Sequence, residues 1–215
     1  MAPAKTSRAA RTRERLRAAA REAFDELGWQ GTRVQDIAER AGVSHGTFYT
    51  YYENRNAVLV DLVTDTMAAF IELVSQPWEG EDVKTALQKV IGGFLDTYEG
   101  DAPVMHTWMQ ASREDPEFGA LYLDLRQRFV DRITEQVEGV LLVSGRRGQV
   151  PPPASIAAAL AAMVEHFAYC HFVLGDAYDR ESALDSLVLV WGSTINSLAG
   201  FDVMDLTALG DAHRT

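Results

Sequence analysis

An all-α fold is what this sequence predicts, arranged as a small N-terminal head followed by a larger C-terminal helical body. Three observations predict it. First, apolar residues recur at helical spacing along nearly the whole chain, Pro is scarce, and no convincing alternating strand appears. Second, Gly42 to Tyr52 reads as a tight turn followed by a very short helix with a polar outer face. Third, the net charge of −11 is unevenly divided. Residues 1–55 hold ten Lys/Arg and seven Asp/Glu, whereas residues 56–215 hold ten and twenty-four. A basic end on an acidic body suits docking on nucleic acid through that end alone, because the body repels phosphates.

In chain order, residues 1–11 read as a flexible basic arm, with Arg8, Arg11 and nearby Arg13 able to touch phosphates. The head is expected over residues 12–54. Its first helix, from about Thr12 to Leu27, buries Leu16, Ala20, Ala23, Phe24 and Leu27, and Gly28 ends it. Val34, Ile37, Ala38 and Ala41 then mark one apolar face of a second helix. Gly42 breaks that helix, since Gly adopts the positive φ that a helix end needs. Ser44 stands at an N-cap position, where its hydroxyl accepts from free N–H groups of the next turn. In the short helix that follows, Phe48 and Tyr52 face inward, Gly46, Thr47 and Thr50 point away, and Tyr49 lies on the flank. Two short helices joined by a Gly-containing turn make a helix-turn-helix. The full arrangement is a three-helix DNA-binding head.

The body is expected over residues 55–201, with a tail at 202–215. Asn54 caps a fourth helix from Arg55 to about Ser75, and Gln76 to Gly80 form a loop. A fifth helix runs from about Asp82 to Glu99 and contains Gly92-Gly93, which cost roughly 1 kcal/mol each relative to Ala unless close packing or ligand space compensates. A short helix carries Val104, Met105, Trp108 and Met109, and a long one runs from Asp115-Pro116 to about Leu142. The clearest loop of the body is Gly145 to Pro153. Helices over about 154–174 and 182–198 are apolar on more than one face, which calls for partners on both sides. Pairing of these two helices with their copies in a second subunit is the expected reason.

The run from Gly28 to Tyr52, containing Ile37-Ala38, Ala41-Gly42-Val43-Ser44, Gly46-Thr47, Phe48-Tyr49 and Tyr51-Tyr52, resembles the head of the tetracycline-repressor-like (TetR) transcriptional regulators. The likeness covers about residues 12–60. The family has Phe at Tyr52, Lys at Arg55 and commonly Glu at Asn56. The resemblance implies that the short helix lies in the major groove, with His45, Thr47, Tyr49, Thr50 and Tyr51 at DNA-contacting positions. It also implies that Gln35 reaches a base or phosphate, and that Arg55 contacts a phosphate. Thr32, Arg33, Ser44 and Gly46 complete the candidate DNA face. It further implies a homodimer on a near-palindromic double-stranded DNA operator, released by a small, mainly apolar effector in the body.

The candidate pocket residues are Phe94, Trp108, Met109, Leu121, Leu125, Met163, His166, Phe167 and Cys170, because Met and aromatic side chains suit an adaptable cavity. His166 and Cys170 share a helical face, but His171 points elsewhere and no further Cys exists, so a pocket or core role outweighs metal ligation. No phosphate-binding loop, nucleophile elbow or His-Glu-x-x-His appears, and neither enzyme activity nor a cofactor is expected. One cysteine, no secretory leader and no apolar run of ~18 residues suggest a cytoplasmic protein without a membrane span. The expectation is a ligand-released repressor. The alternative is a helix-turn-helix architectural or interaction protein without an effector.

Overall fold

The computed structural model describes residues 8–76 and 82–200, all of them helical or in the turns between helices. The expected loop residues 77–80, the start of the arm and the tail from Asp202 lie outside the described residues. Helix α1 spans Arg8–Gly31, α2 Val34–Arg40 and α3 His45–Tyr51. The body holds α4 (Arg55–Ser75), α5 (Val83–Gly100), α6 (Ala102–Glu114), α7 (Pro116–Ser144), α8 (Pro153–Phe172) and α9 (Arg180–Leu198).

The head departs from expectation at its start. Residues 8–11 already belong to α1 instead of to an arm. Leu16, Ala19, Ala20, Ala23 and Phe24 bury one stripe of α1, but Leu27 is 41% exposed. The chain kinks at Gly28, whose φ of +67° interrupts the helix one residue after Leu27. That kink swings Trp29 inward in its place, to 5% exposure. Thr32 ties the kink off, donating its hydroxyl to the carbonyls of Gly28 at 2.8 Å and Ala23 at 3.0 Å. Asp36 accepts from the Arg33 N–H at 2.8 Å and so opens α2. Gly42 (φ +60°) ends it.

Helix α4 leaves the head, capped by Asn54, whose carbonyl oxygen accepts from the Ala57 N–H at 2.9 Å. It packs on α1 at one end and on α5, α6 and α7 along the rest. The body core centres on stacked aromatics: Phe70 of α4 and Phe94 of α5 have centroids 4.2 Å apart, with Phe129 of α7 beside both. Gly93 lets α4 and α5 approach, since a Cβ there would lie 2.7 Å from Leu73 Cδ2. Helices α8 and α9 both rest on α5 and α7. By length and composition α8 is apolar enough to cross a membrane. This exceeds the expectation drawn from uninterrupted runs. Yet Ala157, Leu160, Ala161, Val164 and Ala168 are buried in the body, and Glu165 is ion-paired to Arg126 of α7.

Candidate DNA interface and effector cavity

On α3 the sequence dictates a two-sided helix. Ser44 accepts from the Thr47 N–H at 3.1 Å, and the two hydroxyls lie 2.8 Å apart. This fixes the first turn. Phe48 is fully buried and Tyr52 is 6% exposed, which holds the helix down. His45, Gly46, Tyr49 and Thr50 are exposed and Thr47 is half-buried. The His45 and Tyr49 rings meet edge to face at 5.0 Å, so the two side chains stand as a unit. Gln35 is exposed on α2, its amide donating to Glu39 at 2.7 Å, and Arg33 is exposed just before it.

A groove beside α3 is lined by Arg8, Arg11, Thr12 and Arg15 of α1 together with Ser44, Thr47 and Tyr51. Arg15 is committed there, donating to the carbonyls of Ala41 and Gly42 at the turn. Arg8 and Arg11 are exposed. Cationic side chains beside helix hydroxyls are the chemistry that holds a phosphate strand.

Three sequence-predicted contacts turn inward. Thr32 is fully buried, because both its hydroxyl bonds go to α1 carbonyls. Arg55 donates through Nη1 to the carbonyls of Trp29 (2.6 Å) and Thr32 (2.5 Å), with its guanidinium carbon 4.1 Å from the Trp29 ring centre. Burial lowers its pKa. It is therefore a strut under the α1 kink. Arg13 reaches back to α4, donating to Asp61 at 2.6 Å and to the Tyr52 hydroxyl at 3.3 Å. Arg17 adds a bond to Asp61 at 2.9 Å and another to Asp65. Burial works to raise the Asp61 pKa, but the Tyr52 hydroxyl and the Arg17 and Arg13 guanidinia bring it below the ordinary value. Burial and the bond to Asp61 push the Tyr52 hydroxyl up to about 12, so it stays a donor. Sequence spacing separates these arginines in retrospect. Arg8, Arg11 and Arg15 fall on one face of α1, and Arg13 and Arg17 on another.

In the body a cavity of about 250 Å³ opens between five helices. Its apolar part is Met67 and Phe70 of α4, Phe94 of α5, and Met105 and Met109 of α6. Its polar part is Tyr98, Tyr122, Arg126, Glu165, His166 and Tyr169. Of the predicted pocket residues, Phe94, Met109 and His166 line it. Trp108 does not, being 1% exposed and edge-on to Phe118 at 5.4 Å. Leu125 is core at 7% exposure, and Leu121, Met163, Phe167 and Cys170 are not among the residues lining the cavity. Helical rotation explains two of these misses: Met163 and Phe167 occupy a different face of α8 from Ala162, Glu165 and Tyr169, while Cys170 stands beside His166 at 3.5 Å, one turn past the lining. Sequence reasoning missed Arg126 and Glu165, although paired charges inside otherwise apolar helices were a readable signal.

The cavity and the head share α6. Met105 and Met109 line the cavity, while Gln110 on the same helix accepts from the Trp29 N–H at 3.4 Å. Asp101, just before α6, accepts from Arg21 of α1 at 2.7 Å and from the Thr66 hydroxyl at 2.6 Å. Trp29 also packs edge-on against Phe118 of α7 at 5.5 Å.

Comparison with known proteins accords with both halves. Residues 16–62 match the family model for bacterial regulatory proteins of the tetR family. Residues 87–197, half of the chain, match the C-terminal domain of the transcriptional regulator EthR. The chain is 34% identical over 84 residues to the fatty acid metabolism regulator protein of Bacillus subtilis, a stretch covering 39% of this chain and 43% of that protein. It is 24% identical over 179 residues to the transcriptional regulator BetI of Pseudomonas paraeruginosa, covering 80% of this chain and 87% of the relative. The structure of FadR from Bacillus subtilis, solved with stearoyl-CoA, superposes with a TM-score of 0.66 at 20% identity, over 82% of this chain and 96% of that one.

Proposed function

The chain belongs to the TetR family and is a DNA-binding transcriptional regulator; from that premise we propose that it is a cytoplasmic homodimer released from a near-palindromic operator by a small effector. The DNA-binding domain is residues 12–54 extended back to Arg8, and the ligand-binding and dimerisation domain runs from Arg55 to the end of α9. His45, Thr47, Tyr49 and Thr50 read or touch the major groove. Arg8, Arg11, Ser44 and Tyr51 hold the flanking phosphate strand. Gln35 and Arg33 stand at its edge, and Gly46 allows close approach.

The observation that carries the release step is the double duty of α6, which lines the cavity with Met105 and Met109 and holds the head through Gln110. An effector works only through unequal affinity for the bound and released states, typically a coupling of ~1–3 kcal/mol. A ligand that shifts α6 changes the seat of Trp29, and with it the Arg55 strut beneath α2. FadR of Bacillus subtilis, a structural neighbour, was solved in complex with stearoyl-CoA, which supports a small-molecule ligand for this fold.

Dimerisation is supported by the outer faces of α8 and α9. Ala159 is exposed on α8, a turn away from the cavity-lining Ala162. Leu189 and Val190 of α9 are 68% and 46% exposed. The test of the DNA face is a Thr47→Ala, Tyr49→Ala double variant in a gel-shift assay. Loss of specific operator binding with unchanged circular dichroism is expected; intact binding would sink the assignment.

A further inference from the structure

The cavity holds one feature that an apolar effector alone does not require. Arg126 of α7 and Glu165 of α8 meet across its wall, with Arg126 Nε donating to a Glu165 oxygen at 2.9 Å. Both side chains are about three-quarters buried. Burying an ion pair costs about as much as it returns, so an apolar replacement would hold the helices equally well. A guanidinium has five N–H donors. One is committed to Glu165, and the neighbouring Tyr122 hydroxyl takes one more at most. The rest of the fork remains for a ligand, opposite an apolar wall of Phe70, Phe94, Met105 and Met109.

The two charges are not equivalent. Arg126 stays protonated at any physiological pH. Glu165 is able to take up a proton, and burial raises its pKa despite the Arg126 guanidinium. The other titratable groups around it are the Tyr122 phenol of α7, the Tyr98 phenol of α5, and Tyr169 and His166 of α8. Helices α4 and α6 contribute only apolar side chains to this cavity. The site therefore runs from neutral upward in positive charge as Glu165 and His166 take up protons, and never turns negative through Arg126. An arriving carboxylate is matched by protonating Glu165, as when two carboxylates share one site. An arriving ammonium has no such adjustment, because Arg126 keeps its charge.

Resting on the reading of this cavity as the effector site, we infer that the effector is a small carboxylic acid. Its carboxylate takes the Arg126 guanidinium, and its apolar part fills the wall formed by α4, α5 and α6, where about 250 Å³ holds roughly eight non-hydrogen atoms at ~30 Å³ each. One proton moves from buffer to Glu165 as the carboxylate binds.

The test is calorimetric titration of the full-length protein with three probes of one chain length: octanoate, octanol and octylamine. Octanoate is expected to bind at least tenfold more tightly than octanol, and octylamine not to bind. Repeating octanoate in two buffers of different ionisation heat should show uptake approaching one proton, absent in Glu165→Gln. Arg126→Gln should abolish the preference for octanoate while octanol still binds, which also shows that the variant is folded; Arg126→Lys should restore part of the preference. If the three probes bind alike, or octylamine binds best, the acid class is wrong while the cavity remains an effector site. If none binds at millimolar concentration and operator binding is intact, both readings fall. Equal proton uptake in wild type and Glu165→Gln would remove Glu165 from the scheme.

Discussion

Asp61 gathers three donors, two of which sequence spacing assigns to other work. Arg13 reads as a phosphate contact and Tyr52 as plain core, yet both bond the same carboxylate as Arg17. Its lowered pKa means this clamp contributes stability above the ordinary carboxylate pKa and loses it as pH falls through the lowered value. Asp61→Asn should therefore cost on the order of 2 kcal/mol at neutral pH, a gap that closes once acid protonates the wild-type carboxyl. Thermal unfolding from neutral to acid pH reads both. A second prediction separates two kinds of arginine. Arg55→Ala should lower stability by roughly 2 kcal/mol, because two carbonyls at the α1 kink lose their donor. The salt dependence of operator binding should stay as in wild type. Arg8→Ala and Arg11→Ala should leave stability alone and each reduce the salt slope by about one. Fluorescence anisotropy across a salt series checks both halves.

Among the elements, α6 is the one through which cavity and head touch a common backbone. Its period places Met105 and Met109 toward α4 and α5, and Gln110, one residue beyond Met109, toward Trp29. Any effector that displaces the two Met side chains acts on a helix already bonded to the head. Helix α5 carries the other informative contrast. Gly92 and Gly93 are adjacent in sequence and look alike there. A Cβ on Gly92 meets only Leu184 at 3.8 Å, whereas one on Gly93 falls 2.7 Å from Leu73 Cδ2. Gly92→Ala should stabilise by up to ~1 kcal/mol through helix propensity. Gly93→Ala should gain less or lose outright, since the Leu73 end must rotate away, and Gly93→Val should lose about 1–3 kcal/mol. Chemical denaturation of the three variants orders them.

For the whole molecule, the proposed function depends on two heads held at one spacing. A dimeric helix-turn-helix protein presents its recognition helices about 34–36 Å apart, one turn of DNA. Nothing in residues 8–52 sets that distance; α4 to α9 and the packing of two bodies do. Leu189 and Val190 stand exposed on α9, which like α8 rests on α5 and α7. Leu189→Glu should convert the proposed dimer to monomer at micromolar concentration by light scattering and weaken operator binding by at least tenfold, leaving helicity unchanged. A dimeric variant with full affinity would place the interface elsewhere.

Much of this was legible in the residues themselves. Helical period, caps at Ser44 and Asn54, and the breaks at Gly28 and Gly42 are local, so the sequence by itself determined the helices and most of their ends. It also determined the two-sided character of α3, because burial of Phe48 and Tyr52 leaves only the opposite face for DNA. What the tertiary structure decided was every partner that comes from far along the chain. Arg13 meets Asp61 across 48 residues and Arg126 meets Glu165 across 39. Helical spacing says which side chains share a face, but not which helix that face will meet. Hence Arg55 and Thr32 moved from DNA contacts to struts, and the cavity lining shifted along α8 from Met163, Phe167 and Cys170 to Ala162, Glu165 and Tyr169. The sequence named the kind of side chains a cavity needs; only packing, which rotates each helix to bury its widest apolar face, chose which of them border the space.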